Sequence, residues 1–554
     1  MVNKNSKKID LLLALAINVL FFIIYISNFE LVHESNDDLA ISFFVEGAYG
    51  ARTEYLIYQN VLWGKFLVWI YQLAPQFKWY NILLYAGMFS SFLGISYTFI
   101  RAMGRKIGSL VNMIVLLFVG YQTYIVFQYS RVATLATAAG MLLLFLAVEH
   151  ADSKCEKRIA VIAGAILALW GSMLRFQMFA MTVVLVAGSV VIYKAFVLIK
   201  EKRTNLLKEL GAYIVVFGTV GVLSVGLYVV DRLHYSLNPE WKAFTEFNDV
   251  RTELWDYGFP DYIENSDVYE SIDISMNDCW FYLCWNMDSE LITTEKLQVI
   301  ADAKEAKTFS INDFFETYPS SFIQINLFVL YIVISIIAIG LNRKNIFFAL
   351  YGFLGVMVFE AYFFWAGRHG IQRVDYSMWM AVVIGLFYAI SGDLRLLKDT
   401  AWKYIIAVAA AVLMINASDF DSVERNRTGL LPDGSKIFYS PMMSDDEHLY
   451  VVLCGPPSVY FSYDFWEPAQ VGDLVNVYNA YGWEWATEVR KDVLEQWDMT
   501  NVYRDGINNE KVYFIVGGLQ DTFQTYIREN YDPNAQLVLE RNVFDMQVFS
   551  LRSY

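Results

Sequence analysis

Positive charge, cysteine and the common cofactor motifs are all scarce in this chain. Its 42 Lys and Arg are outnumbered by 57 Asp and Glu, a net charge of −15. A protein that grips phosphate backbones is ordinarily basic, so nucleic acid is not the expected partner. The four cysteines, Cys155, Cys279, Cys284 and Cys454, show neither zinc-finger spacing nor a CxxC redox pair. There is no P-loop, no GxGxxG opening a helix and no HExxH, which removes the usual nucleotide and zinc-hydrolase readings. Charged residues of either sign are only 18% of 554, while 56% are hydrophobic and 17% aromatic. That is a membrane composition rather than that of a soluble globule with one core.

What is abundant is long apolar runs. Eleven have the character of membrane-spanning helices: Leu11–Phe29, Trp79–Ile100, Ile107–Phe127, Val132–Val148, Ile159–Leu174, Phe179–Leu198, Leu210–Val230, Phe322–Leu341, Ile346–Trp365, Tyr376–Ser391 and Trp402–Ala417. The first follows Lys4, Lys7 and Lys8 with no A-x-A-like cleavage site, so it reads as an uncleaved span. With the N-terminus cytoplasmic, every inner connection is basic: Arg101/Arg105/Lys106, Lys154/Lys157/Arg158, Lys200/Lys202/Arg203/Lys208, Arg343/Lys344 and Arg395/Lys398. This regularity follows the positive-inside rule and places the C-terminal region outside. Leu56–Ala74 carries Lys65 at its middle and would invert the pattern as a further span. It reads instead as an amphipathic helix in the outer interface, with Trp63, Trp69, Tyr71, Trp79 and Tyr80 as interfacial aromatics.

The fold class predicted is therefore a polytopic α-helical membrane protein with about eleven transmembrane helices, N-in and C-out, and a C-terminal extracytoplasmic α/β domain. The boundary falls between residues 1–417 and 418–554, with outer interfacial helices at 30–78 and an outer loop at 231–321. In the tail, LYVVLC and KVYFIVGG read as buried strands, ATEVRKDVLEQWDM and DTFQTYIRENY as helices, and AQLVLE and MQVFSLR as a closing strand pair.

On the outer edge this topology gathers a particular set of side chains. Asp37 and Asp38 follow the first span, in HESNDD. Acidic residues at a bilayer edge are costly and are functional candidates. Arg131 opens the fourth span, Arg175 sits at the hairpin between the fifth and sixth, and Arg368, His369 and Arg373 lie between the ninth and tenth. Arginine presents a planar, permanently charged fork that grips phosphate in two places. A carboxylate facing several arginines at a membrane surface suits a lipid-linked phosphate: the carboxylate as base toward an acceptor hydroxyl, the arginines on the leaving phosphate. Adjacent aspartates on a helix point about 100° apart, so at most one faces a given site. The other suits the first turn of a helix over 39–49, capped by Ser35 or Asn36. Asp38 is favoured as the catalytic member. Asn277, Asp278 and Trp280 in the outer loop form a possible sugar-binding trio. Cys279 and Cys284 suit either a local disulfide or free thiols. The small residues Ala133, Thr134, Ala136, Thr137, Ala138, Ala139 and Gly140 predict close helix packing.

Taken together, SNDDLAISFFVEGAYG after the first span, the interfacial YQNVLWGKFLVWIYQLAPQFKWY, the FQYSR and LRFQ elements and WAGRHGIQRV resemble the GT-C class of integral-membrane glycosyltransferases. The layout is also similar to uncharacterised multi-span proteins of Gram-positive bacteria, where cell-surface polymers are decorated. The resemblance covers nearly the whole chain. It implies sugar transfer from a polyprenyl-phosphate-linked donor to a glycan, cell-wall polymer or glycolipid on the outer face of the cell membrane, with inversion. It makes Asp37 or Asp38 the base and Arg131, Arg175, Arg368 and Arg373 the phosphate ligands. The chain departs from the class in lacking a WWD-type motif and a second acidic metal motif. Some members work without a divalent cation, and no metal site is assigned here. The other readings are a non-enzymatic transporter or flippase of lipid-linked saccharides, and a surface-polysaccharide polymerase or ligase. Transporters often carry inverted repeats, and none is evident.

Overall fold

The computed structural model describes residues 4–29, 31–201, 206–288, 290–305, 309–316, 326–368, 370–397, 442, 444–453, 465–543 and 546–554. The helices, in chain order, are α1 (Lys4–Asn28), α2 (Asn36–Glu46), α3 (Val61–Leu73), α4 (Trp79–Met103), α5 (Arg105–Ile125), α6 (Tyr129–His150), α7 (Lys154–Leu174), α8 (Phe176–Lys200) and α9 (Leu206–Leu237). They continue with α10 (Pro239–Trp255), α11 (Met276–Leu283), α12 (Thr294–Asp302), α13 (Asn326–Leu341), α14 (Ile346–Ala366) and α15 (Gln372–Ala389). Among the described residues, α1, α4 to α9 and α14 are long and apolar enough to cross a membrane, eight in all. Two more of the expected runs fall on α13, which is shorter at 16 residues, and α15, whose first turn holds Arg373 and Asp375. The eleventh, Trp402–Ala417, lies outside the described residues, as does the domain boundary at 417.

Local chemistry sets the breaks. Gln128 accepts from the Ser130 and Arg131 amides and so starts α6, and Ser153 accepts from the Glu156 amide at the start of α7. From Tyr129 to Phe145 every residue of α6 is buried, making it the central helix of the bundle. It meets α7 through the expected small residues. A Cβ on Gly140 would stand 2.7 Å from the Gly164 carbonyl oxygen, and one on Gly164 would stand 2.9 Å from that of Gly140. The two backbones are thus in direct contact. Outward faces carry exposed Leu12, Ile162, Val215, Val222, Ile336 and Val358. Apolar surface on that scale is stable only against lipid, which marks the chain as a membrane protein.

α3 shows why residues 56–74 did not read as a span. Val61, Trp63, Gly64, Leu67 and Tyr71 are buried on the protein, while Leu62, Phe66, Trp69 and Leu73 form an exposed stripe at helical spacing. Lys65 and Gln72 are exposed beside that stripe.

The C-terminal region forms a five-stranded sheet, built on strands β3 (Leu449–Val452), β4 (Val477–Asn479), β5 (Val512–Ile515), β6 (Ala535–Val543) and β7 (Met546–Ser553). A short parallel pair precedes them in the chain: β1 (Val32–His33) and β2 (Val126–Phe127). The sheet order is β4-β3-β5-β7-β6, with β4, β3 and β5 parallel and β7 and β6 antiparallel. α16 (Glu488–Gln496) and α17 (Gln520–Asn530) are the two helices expected from the sequence. β4 was not foreseen. It is three residues long, too short for an alternation to register.

The bundle has two chemically distinct ends. At one, Arg101 pairs with Asp10 and Glu156, Arg105 with Asp10, and Lys7 with Glu156. At the other stand α2, α3, the first turns of α4 and α6, the α7–α8 hairpin and the C-terminal sheet.

Candidate functional site

The second end is organised by β1 and β2. Val32 pairs with Val126 and His33 with Phe127, and the Glu34 amide donates to the Phe127 carbonyl at 2.9 Å. This fixes the segment that leads into α2 against the start of α6. His33 is buried beside Phe127 and Phe465, and that burial, with Lys78 near, pushes its pKa down to about 3. α2 begins at Asn36, so Asp37 and Asp38 both lie in its first turn, three residues earlier than the helix expected over 39–49. Ser35 is the N-cap residue but its side chain makes no capping bond.

The two aspartates go to different environments. Asp38 is 0% exposed. Its Oδ1 accepts from the Tyr80 hydroxyl at 2.9 Å and from the Tyr129 amide at 3.1 Å, and its Oδ2 has no hydrogen-bond partner among the described residues. Burial, reinforced by the nearby negative charges of Asp37 and Glu34, holds this carboxyl well above the usual range. Asp37 keeps 13% of its side chain exposed. Its Oδ1 accepts from Trp483 Nε1 at 3.0 Å, and its Oδ2 lies 3.8 Å from Arg373 Nη2. The member favoured from sequence is thus the inaccessible one.

The arginines also divide. Arg131 is buried, stacks on Tyr376 and pairs with Glu34 at 3.0 Å. Arg368 pairs with Asp256 at 3.2 Å. Arg373 pairs with Asp37, not with the neighbouring Asp375, and its Nε is buried without a partner among the described residues. Arg175 is held by neutral groups only: its Nη1 donates to Ser130 Oγ at 2.6 Å and to the Tyr129 hydroxyl at 3.2 Å. No carboxylate among the described residues lies within ion-pair distance of it. Its full positive charge therefore remains for an anion. Arg175, Arg373 and Asp37 all lie within electrostatic reach of the Tyr129 hydroxyl. His369 lies outside the described residues.

Beside this cluster a cleft of about 520 Å³ opens, walled by Glu34, Trp255, Asp256, Arg368, Gln372 and Arg373. Of the possible sugar-binding trio, two members face elsewhere. Asn277 donates to the Thr522 carbonyl in the C-terminal domain, and Asp278 forms a capping box with Ser275 and accepts from Asn530. Those contacts seat α11 on α17. Trp280 is exposed. Cys279 and Cys284 are free thiols. Among the described residues no group of three or more His, Cys, Asp or Glu is arranged to hold a metal ion.

Three participants were missed from sequence: Glu34, Tyr129 and Trp483. The first two lie inside stretches already singled out, HESNDD and FQYSR. Nothing in YGWEWAT distinguishes Trp483 from an ordinary domain-core tryptophan.

No family model matches the sequence, and none of the curated proteins compared matches it. Two crystal structures of ArnT from Cupriavidus metallidurans align with it at 11% identity, over 97% of this chain and 97% of theirs. The form bound to undecaprenyl phosphate gives a TM-score of 0.40 and the apo form 0.42. At that identity and score the likeness is one of outline, and it gives no residue of this chain a role.

Proposed function

We propose that the protein is a membrane glycosyltransferase that moves a sugar from a polyprenyl-phosphate-type donor to an acceptor hydroxyl, with Asp37 as general base. The observation that supports this reading is the presence, at one end of an apolar helix bundle and around Tyr129, of a partly exposed carboxylate, Asp37, and a guanidinium, Arg175, that has no carboxylate partner among the described residues. Asp37 takes the proton from the acceptor hydroxyl as that oxygen attacks the anomeric carbon. The bond from that carbon to the phosphate oxygen breaks, and the polyprenyl phosphate leaves with an added negative charge. Arg175, with Arg373, offsets that charge. A single displacement inverts the anomeric centre. Arg131 and Arg368, each already paired with a carboxylate, shape the site rather than bind phosphate. The basic residues at the opposite end support placing that end in the cytoplasm and the site on the outer face, where a glycan, cell-wall polymer or glycolipid would be the acceptor.

The test is transfer of a labelled sugar from synthetic polyprenyl-phosphate donors by purified protein in lipid nanodiscs. Asp37→Asn is expected to lower transfer by about 10²- to 10⁴-fold, the usual share of a general base, with the folded yield unchanged. Full activity in Asp37→Asn would remove the assignment. Movement of intact donor across vesicles with no sugar released would favour the transporter reading.

A further inference from the structure

We propose that the C-terminal domain is a working part of the catalytic site, and that Trp483 is a positioning residue which orients Asp37. This rests on the reading of Asp37 as the general base.

Trp483 stands 446 positions from Asp37 in sequence, yet its indole Nε1–H donates to Asp37 Oδ1 at 3.0 Å. Arg373 stands near the other oxygen at the longer distance of 3.8 Å. A carboxylate held at one oxygen by a directional N–H keeps a fixed rotamer and leaves the second oxygen to accept a proton. The indole itself is well anchored. Its ring is buried, packed at an angle against Phe44 and Tyr58 with centroids at 5.9 and 5.2 Å. Its backbone is pinned on both sides. Gly482 adopts φ +86°, which a glycine accepts without strain, and its amide donates to the Trp285 carbonyl at 3.1 Å. On the other side Glu484 is clamped by Arg490 at 2.8 Å and by Asn479 at 3.2 Å. A donor held this firmly costs little reorganisation when the carboxylate works.

The experiment uses the full-length protein in nanodiscs. Trp483→Phe keeps an aromatic ring against Phe44 and Tyr58 and removes the N–H. The expected result is a fall in kcat of about 10- to 100-fold, the scale of a misoriented catalytic group, with KM for donor and acceptor and the melting temperature close to wild type. An unchanged kcat, or a loss confined to KM, overturns the proposal. A second measurement does not depend on activity. The Trp483 indole resonance in a ¹⁵N-tryptophan spectrum, assigned by its absence from Trp483→Phe, is expected to shift in Asp37→Asn. A resonance that stays in place overturns the contact. If wild-type protein transfers no sugar from any polyprenyl-phosphate donor, the enzymatic reading fails, and the resonance still decides whether Trp483 holds Asp37.

Discussion

Asp37 and Asp38 are neighbours with the same chemistry, and the helix separates them. The turn of about 100° per residue leaves one carboxylate partly exposed between Trp483 and Arg373 and sends the other into the protein. Their adjacency at the end of the first apolar run was legible in the sequence, and so was the expectation that the two would face different surroundings. Which one was not legible, because it depends on Tyr80, Tyr129 and Trp483, all distant along the chain. The buried member makes its own prediction. Asp38 has a raised folded-state pKa through burial. The stability it contributes is therefore fully present below the ordinary carboxylate value of about 3.9 and is lost as pH rises toward the folded value. An amide in its place can still accept from Tyr80 and from the Tyr129 amide. Asp38→Asn is thus expected to gain stability over wild type as pH rises from 4 upward, by about 1.4 kcal/mol per pH unit until the folded value is passed. Thermal unfolding of the two proteins across that range measures it, and parallel curves would contradict the burial argument. The arginines teach a similar lesson. Their gathering at one end of the bundle was legible, whereas the pairing of Arg131 with Glu34 and Arg368 with Asp256 was not, since it depends on contacts between segments far apart in the chain.

At the scale of elements, the long apolar helices, the shorter helix α3 and most strands of the sheet announced themselves through periodicity. The joints between them did not. The clearest joint is the ion pair of Glu46, at the end of α2, with Lys78, just before α4, at 3.0 Å and with both side chains fully buried. The Tyr71 hydroxyl of α3 and the Ala469 amide of the C-terminal region also donate to Glu46. One carboxylate thus fastens four segments around the site. Breaking a buried pair from one side strands a charge without its partner. Lys78→Met is expected to lower unfolding stability by about 3–5 kcal/mol, and Lys78→Met with Glu46→Leu to recover most of that loss. Chemical denaturation of the single and double variants tests this. Equal losses in both would mean that Lys78 acts only by filling space.

For the whole molecule, the sequence divided the chain into a bundle and a separate outer domain, and the structure joins them. Gly472 and Leu474 donate backbone bonds to Gly47 and Ala48 at 3.0 and 2.8 Å. Arg490 is buried under Tyr49, donates to its hydroxyl at 2.8 Å and pairs with Glu484. Asn286 bridges to Tyr481. Such long-range contacts leave no periodic trace, which is why the sequence left the role of the tail open. Arg490→Met removes the guanidinium that pairs with buried Glu484 and caps the Tyr49 hydroxyl. It is expected to loosen the domain by about 3–5 kcal/mol, seen as faster proteolysis between residues 465 and 500 while the helical signal of the bundle persists. Unchanged proteolysis would show that the backbone bonds suffice to hold the domain. The reach of the Asp37–Trp483 bond also has a consequence in time. The two residues are made 446 positions apart, so the acid can be aligned only after the chain has been translated through residue 483. If Asp37 is the base proposed above, a chain truncated before residue 483 lacks the donor that orients it and is expected to work at a small fraction of the full-length rate.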